Sequence, residues 1–352
     1  MAEQLKKVLV VLPDGRGGAE RQSIRIASYL PADRFSVVYV VIGATDSKIS
    51  GLLPPGARVR RIRIRHIWQG GVFKLFRCFK AERPYAVFSS FHYLNGRCIL
   101  AARLAGVQKT VIRGNICIDD GDPLGRVLMR LYYRKASAVI CQTDELREEM
   151  IKRLRVMPDR AYALYNPVDG ALLEEMSAKE ASPFGKGLNI VCVGRICPDK
   201  GQDVLLRAFE VFLSSHEDAH LYLLGDVHNA DGYYAGLQDF ITGRHLQGHV
   251  HFEGFKPNPW VWIKNADCLV LPSYVEGLPN VLIEAQYLGT PCVATESVRS
   301  ISRIIEEGVN GFIVPTGDAP AMCDAMGKAL NMRDVPYTYR ASSPEEFVSL
   351  FE

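Results

Sequence analysis

Asp267-Cys268-Leu269-Val270-Leu271-Pro272 leads, after three residues, into Glu276-Gly277-Leu278-Pro279-Asn280-Val281-Leu282-Ile283-Glu284-Ala285. The first part is a short, unbroken apolar run and reads as a strand buried on both faces, as in a parallel sheet. Pro279 and Asn280 then open a helix that runs to about Gly289, since proline favours the first turn and glycine marks an end. Glu276 therefore sits on the loop and Glu284 just over one turn into the helix. Between them lie free backbone N–H groups and the positive end of a helix, a ready site for an anion such as phosphate. Two carboxylates on its flanks can accept hydrogen bonds from hydroxyls, and vicinal diols of a sugar or ribose suit them. Either Glu alone also reads as an ordinary solvated residue; the pair with the Gly-Leu-Pro-Asn turn inside it is more specific.

Outward from this stretch the chain alternates strand-like and helix-like segments. The first half gives strands at 8–12, 35–42, 58–64, 85–90, 110–113, 138–143 and 161–165, with helices at 17–29, 71–82, 95–105, 124–135 and 144–155. A polar stretch at 169–186 reads as a linker with a turn or two of helix. The pattern restarts with strands at 189–193, 220–225, 250–252, 267–271, 291–295 and 312–314, and helices at 202–214 and 233–242 among others. Two such runs of alternating units imply an α/β chain of two doubly wound parallel sheets, with ligands at the carboxyl ends of the strands in the cleft between domains. At 352 residues the chain is long enough for two cores. The expected division is 1–167, 168–335, and a short segment 336–352 returning to the first domain. No G-x-G-x-x-G occurs, which speaks against a dinucleotide.

The loops after strand ends carry further candidates. Gly15-Arg16-Gly17-Gly18-Ala19-Glu20-Arg21 follows the first strand, and its glycines would let a ligand approach a helix N-terminus. Gly194-Arg195 follows the strand at 189–193, and Lys200-Gly201-Gln202 opens the next helix; a guanidinium fork and an ammonium there suit a diphosphate. His92 and Arg113-Gly114-Asn115 stand after two strands of the first half. Asp119-Asp120-Gly121-Asp122 could hold Mg²⁺ or Mn²⁺, but reads better as a solvated loop or part of an acceptor site.

The spacing Glu276-x7-Glu284 resembles the E-x7-E signature of retaining glycosyltransferases of family 4, which have the GT-B fold of two Rossmann-like domains. Gly17-Gly18-Ala19-Glu20-Arg21 resembles the first loop of many members, and Gly194-Arg195 with Lys200-Gly201 resembles the family's G-R-x(4)-K-G. Gly225-Asp226, Gly254-Phe255 with Lys256, and the run from Pro291 to Asp318 are of family type as well. The resemblance implies a metal-independent transfer with no cofactor. It places the donor's diphosphate on Arg195 and Lys200, its ribose on Glu284 and its sugar on Glu276. Gly17, Gly18, Gly225, Phe255, Gly277, Leu278, Pro279, Asn280 and Val281 complete the donor side. Arg16, His92, Arg113 and Asn115 face the acceptor, with His92 also a catalytic candidate. Two departures stand out: Glu296-Ser297-Val298-Arg299-Ser300 replaces a Gly-rich turn, and the final helix shrinks to about 344–351.

Charge and composition bound the partners. Residues 1–167 hold 29 Lys and Arg against 14 Asp and Glu, whereas 168–352 hold 13 against 25. A basic half suggests an anionic partner: a membrane surface, a phosphorylated acceptor or nucleic acid, although no nucleic-acid module is recognisable. Residues 58–80 interleave Arg60, Arg61, Arg63 and Arg65 with Trp68, Phe73, Phe76 and Phe79, a pattern fit for an anionic lipid surface. No apolar run reaches the length of a membrane span, and the nine cysteines show no pairing pattern. Together with the resemblance, these features lead to the expectation of a cytoplasmic enzyme on the inner face of a membrane. It would move a hexose or N-acetylhexosamine from a nucleotide sugar, of which a uridine diphosphate sugar is the first choice, to a lipid-linked glycan acceptor. The rivals are an epimerase or phosphorylase on the same scaffold, and a non-catalytic binder of anionic surfaces.

Overall fold

The computed structural model describes residues 5–43, 48–64, 70–114, 123–227 and 232–352, without the side chains of 123 and 124. The chain forms two compact units, one of residues 1–167 with 341–352 and the other of 168–340.

The first unit is built on seven strands: β1 (Lys6–Pro13), β2 (Phe35–Gly43), β3 (Arg58–Arg63), β4 (Ala86–Ser89), β5 (Lys109–Gly114), β6 (Ala138–Cys141) and β7 (Ala161–Ala163). They lie in the order β3-β2-β1-β4-β5-β6-β7, and every pairing is parallel. Val8 to Leu12 of the central strand are wholly buried, which is why that run is apolar at every position rather than at alternate ones. The edge strand β3 differs: of Arg58-Val59-Arg60-Arg61-Ile62-Arg63 only Ile62 is buried. Its arginines guard an edge that another strand could otherwise extend.

The second unit repeats the plan with β8 (Leu188–Val193), β9 (Ala219–Leu224), β10 (Val250–Gly254), β11 (Cys268–Leu271), β12 (Cys292–Thr295) and β13 (Gly311–Val314). Their order is β10-β9-β8-β11-β12-β13, again all parallel. In both sheets the chain runs outward on one side, then jumps back across the first strand. Right-handed crossovers then place helices on both faces, and a crevice opens at the carboxyl ends where the direction reverses. That point lies between β1 and β4 in one sheet and between β8 and β11 in the other.

The short helix expected in the linker is Gly170–Ala178, which Asp169 caps by accepting from Leu172 N at 3.1 Å. One sequence reading changes: His92, placed in a loop, opens the helix His92–Ala105, three residues ahead of the expected start. Of the cysteines, eight are described and all are unpaired; burial pushes the Cys192 and Cys141 thiols up to about 12, so they behave as small apolar core groups.

The returning tail is part of the first core. Ser343 and Glu346 form a capping box at the start of the helix Pro344–Ser349. Backbone N–H groups of Ser342 and Tyr165 bond across to Tyr165 O and Ser342 Oγ, both at 3.2 Å. Phe347 and Phe351 are buried against the first sheet, and Phe351 meets Phe88 edge-on at 5.6 Å. Replacing Phe351 with Ala should therefore cost the first unit about 3–5 kcal/mol, the usual range for a buried phenyl ring. Urea unfolding followed by amide exchange in β1 and β4 measures it, and a loss below about 1 kcal/mol would show that the tail is not part of this core.

Candidate active site

At the reversal point of the second sheet, two loops leave neighbouring strands, one after β8 and one after β11. Their backbones touch. Tyr274 N and Val275 N both donate to Asp199 O, at 2.9 and 3.4 Å. Gly201, at φ +63°, lies so close to the other loop that a Cβ would stand 2.2 Å from Pro272 O. Gly225, after β9, presses in the same way on Gly194: a Cβ there would fall 1.9 Å from Gly194 O. Glycine is needed at both places because only hydrogen fits.

This contact brings two charges together. Lys200 Nζ lies 2.5 Å from Glu276 Oε1, with side chains 20% and 11% exposed. Ser273 Oγ donates to the same oxygen at 2.7 Å, and Ser273 O in turn accepts from the buried Thr295 Oγ1 at 2.5 Å. Both bonds fall on Oε1, and among the described residues none donates to Oε2. Glu276 is thus held in one orientation with an oxygen to spare. Arg195 is exposed, and its guanidinium makes no bond with any described residue. Its carbonyl is fixed by the buried Gln202, whose Nε2 donates to it at 2.8 Å; Tyr233 OH supports Gln202 Oε1 at 3.3 Å.

Beyond Glu276 the chain turns through Gly277, Leu278 and Pro279 into the helix Asn280–Tyr287. No side chain caps it: Pro279 stands at the cap position and offers no acceptor. Leu282 N turns back to Pro279 O at 3.2 Å, whereas Val281 N makes no bond with any described residue and keeps its capacity for an anion. Glu284 lies in the second turn, where Trp260 Nε1 donates to its Oε2 at 2.9 Å. The departure from family type at 296–300 finds its place here, since Ser300 Oγ donates to Gly277 O at 3.0 Å and ties down the turn.

The structure therefore gathers Arg195, Lys200, Gly225, Glu276, Gly277, Leu278, Pro279, Asn280, Val281 and Glu284 at one end of one sheet. Phe255 follows β10 in the neighbouring loop, where Gly225 N donates to Gly254 O at 2.9 Å. Lys256 is occupied: it pairs with Glu253 at 2.8 Å and lies 5.0 Å over the Trp262 ring. Sequence reasoning missed Ser273, Trp260, Thr295 and Gln202, all of which act by holding a neighbour.

The first unit places its candidates at the carboxyl ends of β1, β4 and β5, with two corrections. A Cβ on Gly15 or Gly17 would lie 2.0 or 3.0 Å from a carboxylate oxygen of Glu20. The close approach that these glycines permit is thus made by the chain's own Glu20, which folds back over Gly15, Arg16 and Gly17, while Gly17 and Gly18 remain exposed. Arg113 is not a loop residue. It lies within β5 and is 1% exposed, with Nη2 donating to Asn166 Oδ1 at 2.5 Å. Burial makes it a brace for Asn166 rather than an exposed cation. His92 is half-buried, edge-on to Tyr93 at 5.2 Å. Asn115, Asp119, Asp120 and Asp122 lie outside the described residues, among which no group of three or more His, Cys, Asp or Glu is arranged to hold a metal ion.

The Gly201 contact is testable. Gly201→Ala should force the loops apart, carry Lys200 away from the helix Asn280–Tyr287 and weaken nucleoside diphosphate binding at least tenfold, because both the positive φ and the 2.2 Å approach oppose it. Calorimetric titration with uridine diphosphate reads the effect, and unchanged affinity in a folded variant would show that the contact does not govern the site.

Comparison with known proteins agrees with this fold. The family model described as Glycosyltransferase Family 4 matches residues 16–171, and the one described as Glycosyl transferases group 1 matches 174–343. The chain is 26% identical to a D-inositol 3-phosphate glycosyltransferase of Streptomyces scabiei, over 92% of this chain and 81% of that protein. It is 30% identical to the capsular polysaccharide biosynthesis glycosyltransferase CapM of Staphylococcus aureus, over 57% of this chain and 56% of the other. Against several relatives the match spans only 41% to 56% of their length. The crystal structure of Anabaena Alr3699/HepE in complex with UDP-glucose superposes with a TM-score of 0.81 at 20% identity, covering 98% of each chain. The fold is thus that of the GT-B enzymes. With the two family models set end to end along almost all of its length, the chain belongs to the group 1, family 4 glycosyltransferases.

Proposed function

We propose that the protein transfers a hexose or N-acetylhexosamine from a uridine diphosphate sugar, with retention of configuration, to a lipid-linked or polysaccharide-precursor acceptor, and that it needs no metal ion. The observation that carries this reading is the Lys200–Glu276 pair, fixed by Ser273 beside an uncapped helix end and an unengaged Arg195. Arg195, Lys200 and the Val281 N–H at the start of the helix Asn280–Tyr287 supply positive charge for a diphosphate, and that charge is aimed at the group that gains negative charge as the sugar leaves. Glu284, steadied by Trp260, takes the ribose diol. Glu276 Oε2 accepts from a hydroxyl of the donor sugar.

In the step itself the bond from the anomeric carbon to the diphosphate oxygen breaks, and a bond from that carbon to the acceptor oxygen forms on the same face. The leaving phosphate takes the acceptor's proton. Lys200 is shared between Glu276 and the phosphate, so the donor meets a cation that is already oriented. The choice of uridine diphosphate draws on Anabaena Alr3699/HepE, whose structure holds UDP-glucose, and the choice of acceptor on CapM, named for capsular polysaccharide biosynthesis. The basic first half favours an anionic, membrane-borne acceptor reached from the cytoplasmic side. Among the described residues no helix is long and apolar enough to cross a membrane.

Two measurements test the assignment. Isothermal titration with uridine diphosphate should give the same affinity with and without chelator; loss of binding in chelator would overturn metal independence and turn attention to Asp119, Asp120 and Asp122. Glu284→Ala should weaken that binding roughly tenfold or more, since it removes a hydrogen bond to a charged group. Glu276→Ala should leave the affinity intact, because Lys200 keeps its charge and loses its internal partner, while kcat falls on the order of a hundredfold. Collapse of diphosphate affinity in Glu276→Ala would show that the two carboxylates do not divide the work in this way.

A further inference from the structure

The helix Pro123–Tyr132 and the 3-10 turn Tyr133–Lys135 after it present two unlike faces. Leu128, Met129 and Tyr133 are buried, and Leu128 packs against Gly96 of the neighbouring helix, where a Cβ would lie 2.8 Å away. The other face carries Arg126, Val127, Arg130, Leu131, Arg134 and Lys135, all exposed. Val127 is 50% and Leu131 47% exposed.

Arg126 and Arg130 stand one turn apart on the helix, an arrangement of like charges that repels and destabilises, and Arg134 follows four residues on in the 3-10 turn. Other surface helices of this protein do the opposite: Lys152 pairs with Glu148, Arg153 with Glu149 and Arg207 with Asp203, each one turn away. Here the residues one turn before Arg130 and Arg134 are themselves arginines, Asp122, one turn before Arg126, lies outside the described residues, and none of the three arginines bonds to a described residue. An aliphatic pair, Val127 and Leu131, runs beside the cations at the same interval. Phosphates alone would account for the arginines but not for the aliphatics. A bilayer interface accounts for both, with Val and Leu entering between headgroups while Arg stems reach along them.

We infer that this face is the surface by which the first unit meets an anionic membrane. The inference rests on the proposed membrane-borne acceptor and assigns the contact to a different element from β3 and the helix after it. On those two, Arg60 is engaged by Glu82 at 2.5 Å and Lys74 donates to Arg63 O at 2.9 Å, while Phe73 is 61% exposed with Arg77 5.8 Å over its ring. Arg65 and Trp68 lie outside the described residues. Thirteen residues without further anchoring give a reversible contact, in which each cation adds about fivefold to the partition.

The test is co-sedimentation of the full chain with vesicles of phosphatidylcholine alone or mixed with phosphatidylglycerol, at low and high salt. Wild type should bind only the anionic vesicles. Arg126→Gln/Arg130→Gln/Arg134→Gln should weaken binding roughly a hundredfold at low salt. Val127→Ser/Leu131→Ser should abolish the part that survives high salt. Arg58→Ser/Arg61→Ser on β3 should bind within about threefold of wild type. Thermal melts establish that each variant is folded. If wild type binds and both helix variants bind equally well, the surface lies elsewhere and the inference fails, while membrane attachment stands. If wild type binds no vesicle at any salt, both fail. If wild type prefers an acidic polypeptide or an oligonucleotide to the vesicles and the Ser pair has no effect, the occupant is not a bilayer and the inference is overturned.

Discussion

Gly201 has no side chain, and the carbonyl of Pro272 stands where one would begin. From that single steric fact much of the second unit's site follows. It lets the loop after β8 rest on the loop after β11, so Asp199 O can receive two N–H groups and Lys200 can reach Glu276. Sheet topology places those loops side by side, since β8 and β11 are neighbours at the point of reversal. The glycine turns proximity into contact. Without it a Lys and a Glu 76 positions apart would each be solvated surface groups.

The charges have a consequence for how a donor would be received. A cation waiting alone in a partly buried site must be desolvated at some cost, and so must a lone carboxylate. Paired, with Ser273 on the same oxygen, each offsets the other before any ligand arrives. A diphosphate then adds to an existing arrangement rather than creating one. Arg195 provides the contrast, since it is exposed and loses little hydration until a phosphate displaces its water.

Both sheets, their strand order class and the pair Glu276 and Glu284 were legible because they depend on local pattern: apolar runs of strand length, and a Pro-Asn helix start between two carboxylates. What escaped was what depends on the third dimension. Trp260 reaches Glu284 from 24 positions upstream, and Thr295 holds Ser273 from 22 positions downstream, with nothing in either stretch to announce it. Arg113 was placed on the acceptor side by the resemblance alone; in the structure it lies within β5 and is 1% exposed. Gly17 and Gly18 were read as room for a ligand; both are exposed, and the Glu20 carboxylate lies beside Gly17 and over Gly15. That contact could have been anticipated, since a Glu at the third helical position habitually reaches back to the cap.

The returning tail bears on the order in which the protein can be made. Residues 341–352 complete the hydrophobic core of the first unit, yet they follow the whole of the second in the chain. On the ribosome the first sheet emerges early and must wait, with the places of Phe347 and Phe351 open, until the second unit has been synthesised. The second unit is continuous in sequence and has no such delay. Maturation would then run against the direction of synthesis, with the later unit closing first. Until then the exposed apolar seam on the first sheet is the part of the nascent chain most in need of a chaperone.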